Sequence, residues 1–146
     1  MIRFLRHSGM LLIALFAVLS QPTWGGDKHP TAKPMQVVIQ VNEGDSKKWN
    51  SVLVNVRNIQ REAGPENVAI AIVAIGPGLD MLMADSVAAN DVEDAIAAGV
   101  EFVACENTMH ARKILRSDLL EGIGYTKAGY MEIVRRQQQG WSYLRP

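Results

Sequence analysis

Residues 67–75 read NVAIAIVAI and end at Gly76-Pro77-Gly78. A strand with one face in water alternates polar and apolar residues, whereas a strand covered on both faces has no need to. This run is apolar almost throughout, so it predicts a central strand with helices above and below it. The neighbouring segments test that reading. Residues 35–41, MQVVIQV, are short, β-branched and bounded by Pro34 and Asn42-Glu43-Gly44, which predicts a second strand. From Ser46 the spacing becomes helical, with Trp49, Val52, Leu53, Val56 and Ile59 on one face. Asp45 is placed to cap that helix and Gly64-Pro65 to stop it.

Towards the C-terminus, residues 79–89 (LDMLMADSVAA) fit either a helical turn or an irregular loop with inward Leu and Met side chains. Residues 90–99 predict a short helix, with Asn90 and Glu93 as a capping-box-like pair and Gly99 at its end. VEFVAC at 100–105 predicts a third buried strand. A helix over 108–115, an acidic turn over 117–120, a short strand near 125–128 and a helix over 129–139 follow. The closing WSYLRP can add an edge strand. Strands separated by helix-length segments make βαβ units, so the expected fold class is α/β: a three-layer α/β/α arrangement with a mostly parallel sheet of about five strands. Ligands and reactive groups in such sheets gather at the carboxyl ends of the strands. Cys105 is expected at one of those ends.

Cys105 is the only cysteine of the chain, and the N-terminus makes that notable. Arg3 and Arg6 precede an apolar run over 10–19, and small or polar residues follow over 20–26, the order of a secretory signal peptide. The run is too short for the roughly 20 residues of a membrane span, so no membrane anchor is expected after cleavage. The expected organisation is a signal peptide over 1–25, a flexible lead over 26–34 and one domain over 35–146, in a periplasmic or secreted protein. Exported proteins usually pair their cysteines or avoid them. Loss of the signal leaves 13 basic and 15 acidic residues, a formal charge of −2. Such a balance lacks the concentrated basic face that nucleic acid requires.

The segments VEFVACENTM at 100–109 and YTKAGYMEIVRRQQQGWSYLRP at 125–146 resemble the DsrE/DsrF-like family, in particular its exported single-domain members. The resemblance rests on a strand ending in cysteine and followed by Asn107-Thr108, on Gly129 opening the last helix, and on an aromatic tail ending in Arg145-Pro146. It implies a small three-layer α/β protein of the sulfur-relay type, in which Cys105 accepts a sulfane sulfur as a persulfide and hands it to a partner thiol. It also implies a homo-oligomer, a trimer or hexamer. Asn107, Thr108 and His110 are the residues expected to support Cys105. The relay members of the family are cytoplasmic, so their partners are not carried over. A small sulfur compound such as thiosulfate, or a partner thiol, is the expected reactant, and no cofactor is implied.

The chemistry requires a thiolate. A helix starting near Thr108 would present backbone N–H groups to Cys105, and His110, Arg112 and Lys113 would add positive field, against which Glu106 works. With no second cysteine, another molecule must resolve a persulfide. Two further readings stay open. Cys105 can be a small buried hydrophobe in a non-catalytic exported binding or assembly module. More remotely, Cys105, Met109 and His110, with Met81 or Met83, can be soft Cu(I) ligands. Elsewhere, GPGLD at 76–80 reads as a tight turn lacking a full phosphate-binding pattern, and His29 falls in the lead. Asp91, Glu93 and Asp94 suit a helix start electrostatically. No Ser-His-Asp arrangement can be assigned.

Overall fold

The computed structural model describes residues 34–146. The signal peptide expected over 1–25, His29 and all of the lead but Pro34 lie outside the described residues. Five strands form the sheet: β1 (Met35–Val41), β2 (Val68–Ala74), β3 (Glu101–Cys105), β4 (Gly124–Thr126) and β5 (Ser142–Leu144). Their order is β4-β3-β2-β1-β5, and every pairing is parallel. The register aligns Val41 with Ala74, Ala74 with Ala104, and Cys105 with Thr126. The strand ends therefore form one continuous rim. The expected three-layer α/β fold is the one observed, and the tail does supply an edge strand.

Helix α1 (Ser46–Ala63) begins where the spacing places it, with the Asp45 carboxylate accepting Lys47 N–H. Helix α2 (Ala89–Ala97) differs in detail from the expected segment. Ala88 is its cap residue, without a side-chain bond, so Asn90 lies inside the first turn and makes no capping box. Ser86 serves instead, its hydroxyl accepting the N–H of Ala88. Gly99, at φ 85°, turns the chain into β3 in a conformation that other residues rarely adopt. Helix α3 (Glu106–Arg112) starts directly after β3, two residues before the expected start at Thr108. Helix α4 (Gly129–Gln138) precedes the edge strand.

The two sheet faces are filled unequally. Alternation along the strands sends Val37, Ile39, Ile70, Ile72 and Phe102 to one face, where α1, α2 and Met109 of α3 cover them. The ambiguous segment belongs here too: Gly76–Leu82 is a 3-10 turn that delivers Leu79, Met81 and Leu82 into this core. On the opposite face Val38, Val73, Val103 and Cys105 meet Ile133 of α4, with Trp141 partly buried against them. That helix is fixed by Arg136, which is buried, pairs with Glu132 at 2.8 Å and Glu101 at 2.7 Å, and lies over the Trp141 ring. Among the described residues no helix is long and apolar enough to cross a membrane.

Candidate functional site

Cys105 is the last residue of β3 and the residue immediately before α3, on the sheet face that α4 covers. Parallel topology returns the chain from β4 so that the first residue of α4 meets the sulfur. The backbone N–H of Gly129 donates to Cys105 Sγ at 3.3 Å. Only glycine allows this approach. A Cβ at position 129 would stand 2.6 Å from Ile75 Cγ1, 2.9 Å from Ile75 Cδ1 and 3.3 Å from Cys105 Cβ. The N-terminal, electropositive end of α4 thus lies against the thiol.

Thr108 approaches from the other side. Its hydroxyl oxygen accepts the N–H of Gly76 at 3.0 Å, across the end of the neighbouring strand. The hydroxyl proton is thereby left to donate to the sulfur. Asn107 is tied to the loop before α4, its N–H donating to Lys127 O at 3.1 Å. Burial is the largest influence on the Cys105 thiol and pushes its pKa up. The Gly129 N–H, the Thr108 hydroxyl and the backbone N–H groups of Thr108 and Asn107 act together in the opposite sense, and the net result is a pKa below the ordinary thiol value. Hydrogen bonding therefore outweighs desolvation.

A cleft of about 360 Å³ opens onto this sulfur, bounded by Gly76, Asn107, Thr108, Arg112 and Tyr130. Cys105 itself is 4% exposed, at its floor. Arg112 spans one wall, with Nη1 donating to Gly76 O at 3.2 Å and Nη2 paired to Asp80 Oδ1 at 2.6 Å. A separate cavity of about 800 Å³ lies among the described residues between α1 and the β5 edge, lined by Met35, Ile39, Ile59, Ala63 and Leu144. Glu62 and Arg145 also line it, and Cys105 does not.

Of the residues expected around Cys105, the structure brings Asn107 and Thr108 to the cleft and does not bring His110. His110 is exposed and lines a separate depression with Glu106, Met109 and Lys113. Glu106 is turned there as well, paired with Arg116 at 2.6 Å, so its carboxylate is engaged away from the thiol. The Cu(I) ligand set does not converge: Met81 and Met109 are buried in the core of the opposite sheet face from Cys105. Among the described residues no group of three or more His, Cys, Asp or Glu side chains could hold a metal ion. Sequence reasoning missed Gly129 as the sulfur's hydrogen-bond donor and Tyr130 as a site residue, and it read GPGLD, with Gly76 and Asp80, as a tight turn without linking it to Cys105. The available signal was topological, since in a parallel sheet the turn after β2 and the start of the helix after β4 must flank the end of β3.

No protein-family model and no curated protein matches the chain. Solved structures do. BT1422 from Bacteroides thetaiotaomicron, a conserved protein of unknown function, is 14% identical with a TM-score of 0.60, over 76% of this chain and 94% of its own. The ychN protein from E. coli is 15% identical with a TM-score of 0.59, over 77% of this chain and 99% of its own. At those identities the likeness shows a shared fold. MTH1491 from Methanobacterium thermoautotrophicum, a protein of unknown function, is 38% identical with a TM-score of 0.74, over 77% of this chain and 99% of its own. With that identity across the whole of MTH1491, the chain belongs to the same family as that protein.

Proposed function

We propose that this is an exported DsrE/DsrF-like protein that carries sulfane sulfur on Cys105. One observation carries the reading: a strand-end thiol buried in an apolar cluster receives the Gly129 N–H at 3.3 Å, a hydrogen bond that, with its companions, shifts the thiol pKa downward in favour of the thiolate. A cysteine serving only as packing has no use for that arrangement. In the loading step the Cys105 thiolate attacks the sulfane sulfur of a donor. A sulfur–sulfur bond forms, and the donor's bond to that sulfur breaks with its electron pair leaving on the remnant. In unloading, an acceptor thiolate attacks the outer sulfur and Cys105 departs as the thiolate again. The chain has no second cysteine, so the acceptor is a partner protein or a small thiol.

Export through the segment 1–25 to the periplasm or exterior, and assembly into a homo-oligomer, are parts of the same proposal. Tyr130, Met131 and Val134 are exposed on the outer surface of α4 and support self-association there. Trp141 is engaged within its own chain, under Arg136. The test uses the protein over 26–146. Alkylation of Cys105 is expected to titrate with a midpoint below the roughly 8.5 of a free thiol. Exposure to polysulfide is expected to add about 32 Da, the mass of one sulfur, reversibly by reductant. The low exposure of Cys105 favours one competing reading, a packing cysteine in a non-catalytic module. A thiol that reacts only in denaturant would establish that reading and discard the carrier.

A further inference from the structure

We infer that Arg112 makes the cleft selective for sulfur donors that leave as an anion, the thiosulfate class, and that Asp80 tempers this selectivity. The inference rests on the sulfur-accepting reading of Cys105. Among the residues bounding the cleft, Arg112 is the only one with a formal charge at neutral pH apart from a Cys105 thiolate. Its guanidinium is tethered at two points, with Gly76 O and Asp80 Oδ1 each engaging one nitrogen. A guanidinium presents five N–H donors, so those two bonds leave part of the fork for a ligand. The volume of about 360 Å³ is at the small end of ligand pockets, which run from about 300 to 1,000 Å³. A small oxyanion suits that space better than an extended molecule does.

The charge logic follows from the reaction. The Cys105 thiolate and a thiosulfate dianion repel each other, and attack on the outer sulfur drives more negative charge onto the departing group. The bond between the two donor sulfurs breaks with its electron pair on sulfite, while the outer sulfur becomes the Cys105 persulfide. Reactants and products carry the same total charge, and no proton or external oxidant is consumed. A fixed cation beside the path offsets the repulsion and stabilises the leaving sulfite more than it stabilises the separated reactants. The Asp80 carboxylate on the same guanidinium subtracts from that field.

The test compares reagents that differ only in charge. Iodoacetate and iodoacetamide alkylate a thiolate by the same displacement, so the ratio of their rates at Cys105 reports the local field and cancels thiol pKa and access. Arg112→Gln is expected to lower the iodoacetate to iodoacetamide ratio about fivefold and to slow thiosulfate loading, followed as mass gain and released sulfite, by a similar factor. Arg112→Lys should recover part of the ratio, and Asp80→Asn should raise it. If Arg112→Gln slows both alkylating agents equally, its role is structural and the inference is overturned. It is overturned equally if the ratio does not move. Loading of Cys105 from polysulfide but not from thiosulfate would leave the carrier standing and remove this donor class. No loading from either would remove both.

Discussion

The two faces of the sheet differ in how densely they are packed, and Cys105 lies on the sparser one. On one face α1, α2 and the 3-10 turn press Trp49, Leu53, Leu79, Met81 and Val92 onto Ile39, Ile72 and Phe102. On the other, among the described residues, α4 brings Ile133 to a small set of aliphatic residues and Cys105. Burial of apolar area contributes roughly 25 cal/mol per Å², so the crowded face supplies most of the hydrophobic stabilisation. The sparse face has fewer side chains between the sulfur and water, and a cleft can reach it. A reactive thiol requires both the rigid strand end that the first face secures and the access that the second permits.

The largest test sets the faces against each other with the same substitution. Ile72→Ala removes a side chain with 0% exposure from the crowded core, and Ile133→Ala removes one with 4% exposure from the sparse one. Isoleucine-to-alanine losses span about 2–5 kcal/mol according to how far the site can collapse. Ile72→Ala is expected in the upper part of that range and Ile133→Ala near its lower end, measured as shifts in urea midpoint at constant slope. Equal losses would break the division.

Gly129→Ala comes next and acts on both properties. The added methyl must displace Ile75 and the start of α4, so an overpacking loss of about 1–3 kcal/mol is expected. Since the same shift lengthens the Gly129 contact to Sγ, the midpoint of Cys105 alkylation should rise as well. A destabilised variant with an unchanged midpoint would show that the N-terminus of α4 packs against the sulfur without acting on it.

These residues show what sequence could and could not disclose. β2 was legible because the unbroken apolar run Val68–Ala74 carries the two-sided burial directly, and α1 because Asp45, its apolar face and Gly64 agree with one another. Cys105 at a strand end followed from the same patterning. The environment of Cys105 did not, because its partners are long-range: Gly129 lies 24 residues away, and Thr108 meets Gly76 across 32. Gly129 was recognisable as a helix start, but its closeness to Ile75 exists only once β2 and β3 are neighbours. The cap of α2 was misread because Asn90 resembles a cap residue, while the chain has already entered the helix at Ala89. His110 follows Cys105 closely in sequence, yet one turn of α3 carries it round to the other depression.

Thr108→Val sharpens the comparison with a smaller effect. It keeps the shape and removes the hydroxyl that receives Gly76 N–H and donates to the thiolate. The alkylation midpoint should move up, the rate at acid pH should fall, and Thr108→Ser should restore both. Stability is expected to change by about 1 kcal/mol, the net worth of an ordinary hydrogen bond. If Val and Ser variants both keep the wild-type profile, the hydroxyl is a strut for the turn at Gly76 and nothing more.

The smallest effect concerns β5, the exposed edge beside the cavity of about 800 Å³. Tyr143 donates its hydroxyl to Gln40 Oε1 at 2.7 Å, and Arg145 pairs with Glu43 at 3.0 Å. The Arg145 hydrogen bond holds the Glu43 carboxyl below its usual range, against the opposing influence of burial. A carboxyl whose pKa is lower in the folded state contributes stability above its unfolded value, about 4.3 for glutamate, and loses it as pH falls through the folded value. Wild type and Arg145→Met should therefore differ slightly in amide exchange of β5 at neutral pH and converge as pH falls through the folded-state value of Glu43. Added salt should narrow the neutral-pH difference, because the pair is partly exposed to solvent. A difference that survives acid would reassign Arg145: its aliphatic stem also lines the cavity between α1 and β5, and packing there would be what holds the edge.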